Sequence, residues 1–206
     1  KAGVQMAEDA ALAVRGRPHP WVSRGGLKLV GGLDAFRIDP KDRIALDIGA
    51  STGGFTDVLL SRGARKVYAV DVGRGQLAWK LREDSRVVVM ERTNARRLDA
   101  AMIPEPVDLI VCDASFIGLR TVLPASMALA AAEADLVALI KPQFEVGPDQ
   151  VGKNGVVRNP VAREGACQTI RAWLERETDW SVLGLVESPI TGPEGNIEYL
   201  IGARKS

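Results

Sequence analysis

Apolar residues in this chain come in short continuous runs, separated by polar and glycine-rich breaks. Residues 43–48, 67–71, 87–90, 109–112 and 136–140 are such runs. All are too short for stable helices, and continuous apolarity fits parallel strands covered on both faces. Between them the period changes. Leu27, Val30, Leu33 and Phe36 fall at helical spacing behind Ser23, a suitable N-cap. Further helices are predicted from Gly54, near Leu77, from Leu119 to Ala132 through an alanine-rich stretch, and from Pro160 to Glu177. Two last strands, 181–186 and 197–203, are joined by a Pro/Gly loop with no room for a helix, so they should pair antiparallel. The pattern predicts an α/β fold with a doubly wound, mostly parallel sheet and an antiparallel last strand beside the fifth.

The first strand runs into Asp47-Ile-Gly-Ala-Ser-Thr-Gly-Gly-Phe55, a glycine-rich turn that opens a helix. Glycines there let the backbone turn sharply and approach a ligand, towards which the helix directs free N–H groups. Asp71, 24 residues after Asp47, ends the second strand, where a βαβ unit places an acceptor for ribose hydroxyls. The spacing is G-x-x-x-G-G rather than the G-x-G-x-x-G of a pyrophosphate cradle. It favours an adenosyl cofactor without phosphate, S-adenosylmethionine, over a dinucleotide. The bland alternative is a tight strand-to-helix turn that binds nothing.

Composition narrows the setting. The chain has 206 residues, 46% of them hydrophobic, enough for one well-buried core. No apolar stretch approaches the ~20 residues of a membrane span, and no secretion signal is apparent. Cys112 and Cys167 have no metal-ligand spacing and read as core thiols of a reducing, cytoplasmic compartment. Net charge is +1, which makes no whole-chain argument for nucleic acid. Residues 150–163, however, carry Lys153, Arg158 and Arg163 with no acid, either a solvated face or a phosphate contact. Residues 1–20 lack clear periodicity and read as a tail cut from something longer.

Ligands of open α/β sheets sit at the carboxyl ends of the parallel strands. Asp113 ends the fourth strand, Lys141 the fifth, and Glu198 starts the antiparallel last one, so all three should reach one edge. Such a row is either a structural ion pair or a reaction centre. Apolar packing around Lys141 would lower its pKa towards base chemistry, while both acids would raise it and hold the amine in place.

Ser23-Arg-Gly-Gly-Leu-Lys-Leu29, the Asp47–Phe55 turn, Asp113-Ala-Ser-Phe116, Lys141-Pro-Gln-Phe-Glu145 and Gly195-Asn-Ile-Glu198 together resemble the TlyA (haemolysin A) family of rRNA ribose methyltransferases, within the FtsJ-like group. The likeness spans residues 21–206. It implies a Rossmann-like S-adenosylmethionine-dependent methyltransferase fold, a ribosomal RNA partner, no metal and no membrane, with methyl transfer to a ribose 2′-hydroxyl, of cytidine in this family. It assigns a Lys-Asp-Lys-Glu tetrad to Lys28, Asp113, Lys141 and Glu198. By the same likeness Asp47, Gly49, Ser51, Gly53, Phe55, Asp71, Asn94 and Asp113 hold the cofactor, and residues 1–20 hold the trailing edge of an S4-type RNA-binding module. Ser51-Thr52 departs from the Ala-Pro of many FtsJ-like turns.

Rival readings differ in what they need. Asp113-Ala-Ser-Phe116 also resembles the acidic-x-x-aromatic loop of exocyclic base-amine methyltransferases, with Phe116 stacking on the base. That reading leaves Lys141 and Glu198 unexplained. Cytosine C5 chemistry needs an activated thiolate, and Cys112 has no Pro-Cys loop. A cytolysin needs a membrane-seeking segment, and an idle RNA-binding factor has no use for the tetrad.

Overall fold

The computed structural model describes residues 19–205. Seven strands form one sheet: β1 (Ile44–Ile48), β2 (Lys66–Val70), β3 (Val87–Met90), β4 (Val107–Cys112), β5 (Ala130–Ile140), β6 (Trp180–Glu187) and β7 (Tyr199–Lys205). Their order is β3-β2-β1-β4-β5-β7-β6. β1 to β5 run parallel, and β7 lies antiparallel between β5 and β6, as the chain pattern predicts. Every residue of β1 is buried, because helices cover both faces. On one face, α1 (Gly25–Phe36) and α2 (Gly54–Ser61) bring Leu29, Leu33, Val58 and Leu59 onto Ala45, Leu109 and Val137. On the other, α7 (Pro160–Glu177) packs Cys167, Ile170 and Leu174 against Leu46, Ile110 and Leu136.

Two expectations need correction. The alanine-rich segment is not one helix. It makes two single turns, α4 (Leu119–Val122) and α5 (Pro124–Met127), and from Ala130 it is strand. Pro124 has no N–H and clashes with a preceding turn. Ala130 then takes its ladder place beside Val107 of β4, and Ala134 pairs with Lys205 of β7, so pairing at both ends holds the segment in the sheet against its helix propensity. Nor does Ser23 cap α1. Arg24 holds the cap position with no side-chain bond, while Ser23 offers its backbone carbonyl to the Gly26 N–H at 3.2 Å. The Ser23 hydroxyl instead fills the space beside Gly54, where a Cβ would stand 2.3 Å from it. The starts of α1 and α2 thereby meet above the sheet edge.

α1 lies across the antiparallel strands through Phe36, whose ring sits on Gly202 of β7. A Cβ there would stand 2.5 Å from ring carbons. Gly202→Ala should therefore destabilise the fold by about 1–3 kcal/mol through overpacking, read as a lower midpoint in urea denaturation at unchanged slope.

Candidate active site

The site lies where the parallel strands end. Gly49 (φ +80°) leaves β1 in the left-handed region, and its N–H and that of Ala50 donate to the Val70 carbonyl at 2.9 and 3.1 Å. A Cβ at Gly49 would meet the Ala114 backbone at 3.0 Å, so turn and β4 end touch closely. Asp71 sits one residue past β2 and is held by both carboxylate oxygens. One accepts the Ser51 N–H at 2.8 Å, the other the Gly73 N–H at 2.7 Å. A carboxylate so fixed keeps lone pairs free for hydroxyl donors. Gly49, Ser51, Asp71, Asn94, Asp113 and Phe116 line a cavity of about 470 Å³, within the roughly 300–1,000 Å³ of small-molecule sites. Asn94 spends its carboxamide oxygen on the Arg96 N–H at 3.1 Å, which leaves its NH₂ for another partner.

Behind this cavity the two lysines and two carboxylates meet. Lys28 Nζ lies 2.5 Å from Glu198 Oε2 and 3.9 Å from Asp113 Oδ2, and Lys141 Nζ lies 2.6 Å from Asp113 Oδ1. That last contact is ionic, outside hydrogen-bond angles; the directed bonds of Lys141 go to Ser115 Oγ at 2.8 Å and the Asp113 carbonyl at 3.1 Å. Lys28, Lys141 and Glu198 are buried at 6, 6 and 1% exposure, and only Asp113 opens partly to the cavity. Charges alternate Glu198–Lys28–Asp113–Lys141, so each buried amine faces an acid. The expected row thus needs one correction: Glu198 pairs with Lys28 from α1, and Lys141 is held by Asp113 and Ser115.

Three residues expected at the cofactor do not line the larger cavity. Asp47 is fully buried beneath the turn, where it accepts the Thr56 hydroxyl at 2.7 Å. Gly53 (φ +97°) faces α3 (Trp79–Arg82), and a Cβ would collide with Leu81 and Leu77 at 2.2 and 2.8 Å. Its glycine answers to helix packing. Phe55 is a core residue that reaches only the smaller space beside Lys28 and Lys141.

Sequence reasoning gave no role to Ser115 or Asn196, although both stand in the quoted motifs. Asn196 is 4% exposed, accepts the Val157 N–H at 3.2 Å and donates to the Gly155 carbonyl at 2.9 Å, anchoring the basic segment to the turn that carries Glu198. Lys153 and Arg158 there are exposed, whereas Arg163 is spent on the carbonyls of Val157 and Arg158. The Cys112 thiol, fully buried, is pushed up to about 12 by desolvation, which removes it as a nucleophile.

A mostly parallel sheet with an antiparallel β7 and a glycine-turn cavity at the strand ends defines a Rossmann-like methyltransferase. Residues 21–205 match the family described as FtsJ-like methyltransferase. The chain belongs to that family, in its TlyA branch. It is 52% identical over 205 residues to the 16S/23S rRNA (cytidine-2'-O)-methyltransferase TlyA of Mycobacterium tuberculosis, covering 99% of this chain and 76% of the relative. A solved structure from Streptococcus thermophilus that carries a hemolysin name is 46% identical, with a TM-score of 0.88 over 93% of this chain and 70% of the other. A methyltransferase structure from Listeria monocytogenes, 15% identical with a TM-score of 0.60 over 87% of this chain and 100% of the other, shares the fold alone.

Burial makes Asp47 a pH reporter. Desolvation above all, with the nearby Asp113 and Asp71 charges, raises its carboxyl from 3.8 to about 7 against the opposing Thr56 bonds. The folded state therefore holds a proton that the unfolded chain releases near pH 4, so this contribution is present below that pH and is lost as pH rises through about 7. Asp47→Asn should flatten the fall in stability between pH 4 and 7, measured by urea denaturation across that range. An unaltered slope would show that Asp47 is ionised throughout.

Proposed function

We propose that this chain is an S-adenosylmethionine-dependent methyltransferase that modifies ribosomal RNA at a ribose 2′-hydroxyl, of cytidine as in its named relative. The observation that carries the reading is the pair of buried lysines, each against a carboxylate at 2.5 or 2.6 Å, beside the cavity that Asp71 borders. S-adenosylmethionine, when bound, supplies an electrophilic methyl group, so the protein has to align a hydroxyl and remove its proton. Asp71 would take the ribose hydroxyls of the cofactor, Asn94 an adenine edge, and Gly49, Ser51 and Asp113 the remaining contacts. Asp47 and Gly53 shape the turn from below. Lys141, in its neutral form, accepts the proton of the attacking hydroxyl at Nζ, positioned by Asp113 and Ser115. Lys28 stabilises the oxygen as negative charge develops on it, and Glu198 fixes Lys28.

Phe116 is 90% exposed at the junction of the cofactor cavity and a second space of about 240 Å³ that Lys141 and Glu198 also line. We assign its ring to the base of the target nucleotide, which it would hold by stacking while the ribose faces Lys141. The aromatic of the base-amine rival is thereby compatible with ribose chemistry. Exposed Lys153 and Arg158 suit phosphates, and a ribosomal substrate agrees with a cytoplasmic protein. An S4-type module ending in residues 1–20 belongs to the same proposal; residues 1–18 lie outside the described residues. For a cytolysin the structure offers little: among the described residues no helix is long and apolar enough to cross a membrane.

Cofactor binding and methyl transfer test this reading. Asp71→Ala should weaken S-adenosylmethionine binding at least about tenfold, as loss of a bond to a charged group costs roughly 1.5–3 kcal/mol; unchanged affinity by calorimetry would remove Asp71 from the site. Lys141→Ala should abolish transfer while cofactor affinity stays within about threefold, and RNA with 2′-deoxyribose at the target should be inert. Mass spectrometry of nuclease digests reads the product directly. A methylated base instead of a methylated ribose would refute the mechanism.

A further inference from the structure

Glu145 closes the Lys141-Pro-Gln-Phe-Glu145 motif, yet the chemistry above gives it nothing to do. It ends α6 (Pro142–Glu145), the single turn that starts directly after Lys141. Its Oε1 accepts the Leu119 N–H at 2.8 Å, so the bond joins the Lys141 turn to the start of α4 just beyond Phe116. The intervening segment, Ala114–Gly118, has no regular structure. Its front end is held by the Asp113 N–H on the Ile48 carbonyl at 3.0 Å and by Lys141 on Ser115. Glu145 holds its rear end. Gly118 lets the two segments touch, since a Cβ there would stand 3.0 Å from Glu145 Oε2 and 3.3 Å from the Phe144 carbonyl.

Between these anchors Phe116 has φ +66°. A bulky residue in the left-handed region is strained and persists only where its surroundings over-determine it. The ring is almost wholly exposed, so burial does not hold it there; its aromatic neighbour is Phe144, 5.3 Å away between centroids and tilted by 47°. Phe144 is itself the residue before Glu145. One short turn therefore carries the proposed base Lys141, the ring that flanks Phe116, and the carboxylate that ties down the Phe116 segment.

We propose that Glu145 is a positioning residue for the RNA substrate: by gripping the Leu119 N–H it holds Phe116 in its strained pose and fixes the base platform relative to Lys141. The inference rests on the reading of Phe116 as the contact for the target base. Arg120 of α4 and Cys167 of α7 are the groups that act on this carboxylate or feel its charge. The Cys167 thiol is pushed up to about 12 by burial and stays neutral, and Glu164 of α7 acts on that thiol. Desolvation raises the Glu145 carboxyl to about 6 against the lowering effect of the Leu119 N–H and Arg120. Glu145 is thus an anion at neutral pH, and its grip weakens as pH falls through about 6.

The test is a double-mutant cycle on methyl transfer to ribosomal RNA, with S-adenosylmethionine affinity measured by calorimetry as the check on folding. Phe116→Ala and Glu145→Ala should each raise KM for RNA about tenfold with kcat within about threefold, and Glu145→Ala, which lies outside the cofactor cavity, should leave cofactor affinity within about threefold. The double variant should be no worse than Phe116→Ala alone. Glu145→Gln keeps a neutral acceptor oxygen, as the protonated wild type does, so its KM should lie between those of the wild type and Glu145→Ala and stay flat between pH 7 and 5.5, while the KM expected of the wild type rises towards it over that range. Additive losses in the double variant, or a pH profile of Glu145→Gln that matches the wild type, would overturn the role of Glu145 and leave the platform standing. A Phe116→Ala variant with unchanged KM would overturn both.

Discussion

Two ammonium groups and two carboxylates are nearly out of contact with water at one edge of this sheet, and they are tolerable there only because each neutralises another. Removing a charge from water costs several kcal/mol even after relaxation, and good geometry with opposite charges is needed to offset it. The chain meets this requirement with residues far apart in sequence. Lys28 rides on α1, which precedes the sheet, and its carboxylate comes from Glu198, 170 residues later. That pairing ties the first helix to the last strand across the strand ends, while Asp113 and Lys141 close the row from β4 and β5. The constraint explains why α1 must lie where it does. A small shift of α1 would leave Lys28 and Glu198 both buried and unpaired.

The same row ties stability to chemistry. The groups that neutralise one another inside the fold are those assigned to orient and deprotonate a ribose hydroxyl. An RNA hydroxyl entering beside Lys141 would therefore meet an amine already oriented by Asp113 and Ser115, without the reorganisation that free side chains in water would need. Two spaces flank this row, one bordered by Asp71 and Asn94, the other by Phe144, Asn154 and Asn196. Phe116 borders both, which gives its exposed ring a place in the arrangement that packing alone does not.

Much of the architecture was legible because its signals are local. Short apolar runs identify β1 to β4 almost to the residue, and Pro160 marks the start of α7. Where the reading failed, a distant partner had decided. Ala130–Ala134 carries helix propensity, but Val107 of β4 pairs with Ala130 and Lys205 of β7 with Ala134, so both ends of the segment are held in the sheet. Ser23 has the chemistry of an N-cap, but Gly54 leaves space for its hydroxyl beside another helix. Gly53 reads as part of a ligand turn, whereas the side chains of Leu77 and Leu81 occupy the room a Cβ would need.

By itself the sequence determined the α/β class, the glycine turn with Asp71 at the neighbouring strand end, and the arrival of Asp113, Lys141 and Glu198 at one edge, because strand polarity sends strand-end residues there; Lys28, on α1, was legible only through the family resemblance. Pairing within that edge is a matter of ångströms. Only the folded chain decided that Glu198 serves Lys28, that Ser115 shares Lys141 with Asp113, that Asp47 lies sealed under the turn, and that Glu145 reaches back to Leu119. Local spacing places a side chain on a face or at an edge; which partner it meets there depends on how separate elements pack, and that is settled by the whole core at once.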